Sequence, residues 1–285
     1  MITLTVASPP DQAMRHWLNQ LHRCAYDAYA QAVADNLPLQ IYTTAGETDG
    51  LVCVLTEAKH IFIYIAFAAT VDQEALLPDL EKILATAVAQ RGERILDCTL
   101  YTPNETLVNF VRGQAFQECN VGYEFCYTTA MPLPEVDLGP LRIRPFAATP
   151  IMPYLELLDL AFNQLKLPHD WRTTIFRRDI AGATRMLMEH NRNGDFAAFW
   201  KGERLVGLYT LNQNVLDTIA VHPEFQNRGY GARILRHCMH KLLHELGYAD
   251  MYLYVAAANE GAVRFYLRHG FTISARYSQF TYVGE

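Results

Sequence analysis

Shifted by 155 residues, the chain falls on itself without a gap. Asn104-Glu105 lands on Asn259-Glu260, and Val108, Phe110, Phe116, Phe125 and Tyr127 land on Val263, Phe265, Phe271, Phe280 and Tyr282. These are seven identities in a window of 24 residues, at one offset. Gly92 lands on Gly247, and the helical run Glu74 to Ala89 and strand Ile95 to Tyr101 fall near a second helix and strand. Any two helix–strand units share apolar periodicity, but identities held at one fixed register argue for two copies of one fold. A length of 285 residues lets each copy bury its own core. The boundary is expected in Pro132 to Pro140, with three prolines and a glycine in nine positions. That divides the chain into 1–131, a linker at 132–140, and 141–285.

In the second copy, Leu141 to Phe146 reads as a strand, and helices are expected near 150–164 and 171–190. Phe196 to Trp200 and Arg204 to Asn212 form a hairpin across Lys201-Gly202. Val215 to Val221 is a further strand, broken by His222-Pro223. Next comes Gln226-Asn227-Arg228-Gly229-Tyr230-Gly231-Ala232, and then Ile234, Leu235, Cys238, Leu242 and Leu246 at helical spacing until Gly247. A glycine-rich turn from strand to helix leaves backbone N–H groups free to hold an anion such as a pyrophosphate. The turn lacks a Gly-Lys-Ser/Thr ending and the G-x-G-x-x-G spacing, so it is neither a P-loop nor a dinucleotide fingerprint.

Preceded by Ala220-Val221-His222-Pro223, this run resembles the acetyl-CoA pyrophosphate loop of the GCN5-related N-acetyltransferases (GNAT). The second signature of that family is matched at Asn259, Ala262, Tyr266, Gly270 and Phe271, downstream of the strand Asp250 to Val255. The resemblance implies an α/β (α+β) fold: two tandem GNAT-like domains, each a mixed, mostly antiparallel twisted sheet flanked by helices. It also implies acetyl-CoA as cosubstrate. The cofactor would be held by Ile219, Ala220 and Val221 on a strand that splays from its neighbour, by the loop residues Gln226, Asn227, Arg228, Gly229, Tyr230, Gly231 and Ala232, and by Asn259 and Ala262. Tyr266 is the expected general acid, since a phenol titrates near pH ~10 and is protonated at neutral pH. Asp217 is the expected base, on the same strand face as Ile219 and Val221 if side chains simply alternate. At the same offset, Gln226, Gly229, Gly231 and Tyr266 correspond to Val71, Glu74, Leu76 and Val111. The first copy thus lacks the loop and the acid, and chemistry is expected only in the second.

The expected reaction is transfer of an acetyl group to a primary amine, small-molecule or peptide, by direct attack in a ternary complex. A non-catalytic acyl-CoA-binding sensor or scaffold would keep the loop without needing Tyr266 and Asp217. The first 130 residues carry a net charge of −8 and the rest +2, which argues against nucleic acid and suits a cationic acceptor. No apolar run is long enough to cross a membrane, and Ile61 to Ala69 reads as a buried strand. The first residues lack a secretory pattern, and the six scattered cysteines contain no CxxC pair, so a cytoplasmic protein with free thiols and no metal site is expected. His237, His240 and His244 are expected to form a solvated face, and Trp171, Phe176 and Trp200 to be core. A monomer and a homodimer are equally compatible with the chain.

Overall fold

The computed structural model describes residues 50–68, 70–101, 105–162 and 175–284, together with 4–6, 38–44 and the isolated positions 30, 33, 34 and 36. Cys24, Asn104 and Trp171 lie outside the described residues. The chain forms two compact units, residues 1–123 with 275–285, and residues 124–274. The division falls inside two strands, after Tyr123 and after Ser274, and not at the proline-rich stretch. Residues 132–140 carry no helix or strand and belong to the second unit. Proline punctuates local backbone, whereas a compact unit follows from which strands pair.

The first unit contains β1 (Leu4–Val6), β2 (Leu39–Thr44), β3 (Gly50–Thr56), β4 (His60–Phe67), α1 (Leu77–Gln90), β5 (Ile95–Tyr101), α2 (Glu105–Gly113) and the start of β6 (Phe116–Thr128). It also holds most of β12 (Thr272–Tyr282), and its strand order is β1-β2-β3-β4-β5-β12-β6. The stretch expected as a buried strand is β4. Alternation sends Ile61, Ile63, Ile65 and Phe67 into the core under α1, while Tyr64 and Ala66 pack on the opposite face. α1 buries Leu80, Ile83, Leu84 and Ala87, the i, i+3, i+4, i+7 stripe of an amphipathic helix. β4 and β5 form an unbroken parallel ladder from His60↔Ile95 to Ala66↔Tyr101. Leu76 and Val111, at the repeat positions of Gly231 and Tyr266, are fully buried in that core.

The second unit begins with the end of β6 and continues through β7 (Arg142–Arg144), α3 (Met152–Phe162), α4 (Ile175–Arg178) and α5 (Ile180–Asn193). Then come β8 (Phe196–Lys201), β9 (Arg204–Asn212), β10 (Val215–Val221), α6 (Tyr230–Met239), β11 (Asp250–Ala256) and α7 (Glu260–Arg268). α6 runs on as π-helical turns over His240–Glu245 and stops at Gly247, whose φ of 73° is left-handed. The second expected helix is two, α4 and α5, because Asp179 leaves the helical conformation to cap the Gly182 N–H. The hairpin of β8 and β9 turns at Gly202, as expected. Its strand order is β7-β8-β9-β10-β11-β6, with the first residues of β12 beyond.

One face of this sheet packs α3 and α5, through Tyr154, Leu155, Leu158 and Leu187 against Ala198, Leu208 and Ala220. The other face meets α6, whose His237 hydrogen-bonds the Tyr209 hydroxyl at 3.1 Å. β11 and α7 begin and end 155 residues after β5 and α2, and β10 begins 155 after β4. The repeat read from the sequence therefore holds element by element.

Candidate active site

The two copies differ most where β10 meets β11. The first copy closes the equivalent strands over their whole length, but β10 and β11 share a single ladder pair, Val215↔Tyr252. Asn214 ties the root of this fork, donating to the Asp250 carboxylate at 2.6 Å and accepting the Tyr252 N–H at 3.0 Å. Beyond it, the backbone edge of Leu216 to Val221 that faces β11 has no ladder partner among the described residues. Gln226 covers one group, donating from Nε2 to the Val221 carbonyl at 3.1 Å. Unpaired backbone polar groups are costly unless water or a ligand reaches them. Those of Ile219 to Val221 border a cavity of about 730 Å³.

A bulge shapes the far side of the fork. Leu216 pairs with Leu211 but Thr218 with Thr210, so Asp217 is an extra residue in β10. Its carboxylate accepts hydrogen bonds from Thr210 at 3.1 Å and Thr218 at 3.3 Å, and the residue is exposed. Thr210 lies two residues from Leu208, on the face that packs α3, whereas Ile219 pairs with Tyr209 and shares the α6 face. Asp217 therefore does not share a face with Ile219 and Val221. Simple alternation misplaces it because the bulge shifts the period by one residue.

The loop before α6 follows from its residues. A 3₁₀ turn at Pro223–Phe225 leads to Asn227 at φ 57° and Gly229 at φ 80°, both left-handed, which asparagine and glycine tolerate best. Gly229 is the N-cap of α6 and no side chain caps the helix, so its first N–H groups stay available. The neighbouring α7 is different, because Asn259 accepts from the Ala262 N–H at 3.1 Å. A Cβ at Gly231 would meet only Phe265 and Val221, at 3.7 Å, and one at Gly229 would meet nothing within 4 Å. The space above both glycines is open, a cradle that side chains would fill.

Most of the expected cofactor residues line this one cavity: Ile219, Ala220 and Val221 from β10, Gln226, Asn227 and Gly229 from the loop, Gly231 and Ala232 from α6. Asn259, Ala262 and Tyr266 line it from α7. Three of the expected residues do not. Arg228 is exposed at the loop tip, Tyr230 is buried against Phe225 at 5.9 Å between ring centroids, and Asp217 lies at the bulge. The sequence reading missed Phe265 and His269, which follow Ala262 at i+3 and i+7, their neighbours Gly261 and Arg268, and Ala161 and Phe162, brought in by α3. The helical period alone would have extended the α7 set. Nothing local marks the α3 pair.

Tyr266 is only 6% exposed, wedged among Phe125, Phe265 and Phe271 at centroid distances of 5.8, 5.2 and 5.6 Å. Burial, reinforced by the nearby Cys238, holds its phenol well above the usual tyrosine range. It therefore keeps its proton across neutral and moderately alkaline pH. Arg268 and His269 bring positive or chargeable groups to the wall, and the His269 Nδ1 lies 2.7 Å from the Phe265 carbonyl, which can only accept. No set of three or more His, Cys, Asp or Glu side chains that could hold a metal occurs among the described residues. His237 corrects the expectation of a solvated histidine face. It is half-buried on Tyr209 and Phe199, with its pKa lowered chiefly by desolvation, while His240 and His244 stack on each other at 4.5 Å. Phe176 and Trp200 pack against the α3 core, as expected. No disulfide joins the described cysteines, and none of them lines the cavity.

A parallel pair forked beside an uncapped, glycine-opened helix defines a fold that presents backbone groups to an extended, anionic ligand. The acetyltransferase (GNAT) family profile matches residues 155–271, which span this fork and both flanking helices. Residues 155–271 are thus similar to that family, whose members transfer acyl groups from acyl-CoA. A GCN5-related N-acetyltransferase from Sphaerobacter thermophilus is similar in fold, with a TM-score of 0.66 and 14% identity, covering 98% of this chain and 95% of that one. A tandem GNAT protein of the clavulanic acid biosynthesis pathway, solved without acetyl-CoA, has a TM-score of 0.55 and 13% identity, covering 99% and 98%. A GNAT-family acetyltransferase from Colwellia psychrerythraea has a TM-score of 0.53 and 12% identity, covering 98% and 99%. No curated protein matches the chain. The α/β fold is thus that of GNAT proteins over nearly its whole length. No helix among the described residues is long and apolar enough to cross a membrane.

Proposed function

We propose that the second unit transfers an acetyl group from acetyl-CoA to a primary amine by direct attack in a ternary complex. The observation that carries this reading is the fork between β10 and β11, opening onto the uncapped start of α6. The free N–H groups of the Gly229–Ala232 turn suit the pyrophosphate, strengthened by the helix dipole. Backbone groups of Ile219 to Val221 suit the pantetheine arm and the thioester carbonyl, whose oxygen gains charge during attack. Tyr266, kept protonated by its burial, would give its proton to the departing thiolate. Asp217, on the opposite side of the fork, would take a proton from the attacking nitrogen, directly or through water. In the first unit, the zipped β4–β5 pair and the buried Leu76 and Val111 support a copy that packs without this chemistry.

The test is release of free thiol from acetyl-CoA in the presence of a panel of primary amines. Amine-dependent release with one acetylated product per thiol supports the transferase. Thermal stabilisation by acetyl-CoA with no turnover on any amine would instead identify an acyl-CoA-binding sensor.

A further inference from the structure

The cavity beside α6 does not stop at one face of the sheet. Ile219 shares the α6 face with its ladder partner Tyr209, and Val221 lies 3.7 Å from where a Cβ on Gly231 would stand. Ala220, between them, belongs to the core under α3. All three line the cavity, so it wraps the free edge of β10 and passes through the fork. On the α6 side its wall is built by the loop, α6 and α7, and includes Asn259, Arg268 and His269. On the α3 side the wall is Ala161 and Phe162, from the last turn of α3. Phe162 rests on Phe176 at 6.2 Å between ring centroids, and both pack against the core that contains Ala220. Among the described residues no Asp or Glu lines the cavity. Its chargeable side chains lie on α7, and its α3 side is apolar.

We infer that the α3 side of the fork is the acceptor subsite, and that it selects primary amines whose nitrogen carries an apolar alkyl or aryl group. This rests on the transferase reading above. With acetyl-CoA held by the loop and α7, its thioester meets the backbone of Ile219 to Val221 from the α6 side. The approach left to an incoming nitrogen is through the fork from the α3 face. An amine that arrives there trails its substituent over Ala161 and Phe162. Burying an alkyl chain or ring on those side chains takes apolar surface out of water on both partners. A hydroxyl or second ammonium in the same place loses its water, and no charged or hydroxyl side chain among the described lining residues of that side replaces it. The same surroundings favour R–NH2 over R–NH3+, and R–NH2 is the form that attacks. The net charge of the first 130 residues suits a cationic acceptor, but the described cavity wall holds no carboxylate to bind a second positive group.

Steady-state kinetics of the full-length protein test this with propylamine, hexylamine and 2-phenylethylamine against ethanolamine and putrescine. In the wild type, kcat/KM is expected to rise about ten-fold or more from propylamine to hexylamine. 2-Phenylethylamine should exceed ethanolamine and putrescine by a similar factor. Phe162→Ala should cut kcat/KM for hexylamine and 2-phenylethylamine by about ten-fold. Propylamine turnover and the acetyl-CoA Kd from calorimetry should stay within roughly two-fold in the same variant. Phe162→Leu, which keeps an apolar side chain, should retain the preference for hexylamine over propylamine. Ethanolamine or putrescine turned over as well as hexylamine overturns the inference and leaves the transferase reading standing. A Phe162-dependent gain seen with hexanoyl-CoA in place of hexylamine also overturns it, since the subsite then takes the acyl chain. Wild-type protein that binds acetyl-CoA yet turns over no amine sinks the transferase reading and the subsite with it. Should Phe162→Ala fail to fold, the wild-type amine series and Phe162→Leu carry the comparison.

Discussion

Tyr266 combines two properties rarely useful together on a surface residue: it is walled by three aromatic rings, and it still lines the cavity. Burial disfavours the phenolate, so the folded protein keeps the proton that a leaving thiolate needs. Tyr266→Phe preserves the packing and removes the proton. Turnover is expected to fall by about 10²-fold or more, with the acetyl-CoA Kd nearly unchanged. Equal loss in both would refute the acid role. The raised pKa also sets a sign: deprotonation needs a higher pH than for a free phenol, so no alkaline fall in kcat from Tyr266 is expected up to pH ~10. A pH–kcat profile measured with aniline, whose own ionisation is complete well below that, checks it. At this scale the sequence placed Tyr266 on the cavity side of its helix, because a position on one helix face survives folding. It misread Asp217, because a bulge is created by pairing with β9 and leaves no mark in β10 alone.

At the scale of elements, one strand–helix–strand unit occurs in a closed and an open form. β4 and β5 pair along their length, and Leu76, at the first residue before α1, fills the core. β10 and β11 separate after one pair, and the matching position is Gly231, whose missing side chain leaves a cradle. Refilling that cradle should close the site without unfolding the protein, since a Cβ there makes only ordinary contacts. Gly231→Val is expected to weaken acetyl-CoA binding by about ten-fold or more through lost N–H contacts. Its Tm should stay within a few degrees of wild type, an intrinsic helix-propensity change of under ~1 kcal/mol acting on the first turn. Calorimetry with acetyl-CoA and thermal melts without ligand decide between this and a folding defect.

For the whole molecule, the second unit needs residues that precede the proline-rich stretch. Residues 124–128 complete its sheet beside β11, and Phe125 supports Tyr266. A fragment of 141–285 is therefore expected to fail to bind acetyl-CoA, while the full chain binds one equivalent, measured by calorimetry. Two equivalents per chain would contradict the reading of the first copy. The repeat, the glycine turn, the Asn259 cap and most of the cavity wall were legible because each depends on residues adjacent in sequence or on a period repeated locally. The fork, the bulge at Asp217 and the unit boundaries were not. Each arises where a strand meets another far along the chain, as Val215 meets Tyr252. Sequence alone determined which residues can turn, cap and carry a proton. Tertiary structure decided which face each one serves, because side-chain direction in a sheet depends on register, and register is a property of pairs of strands.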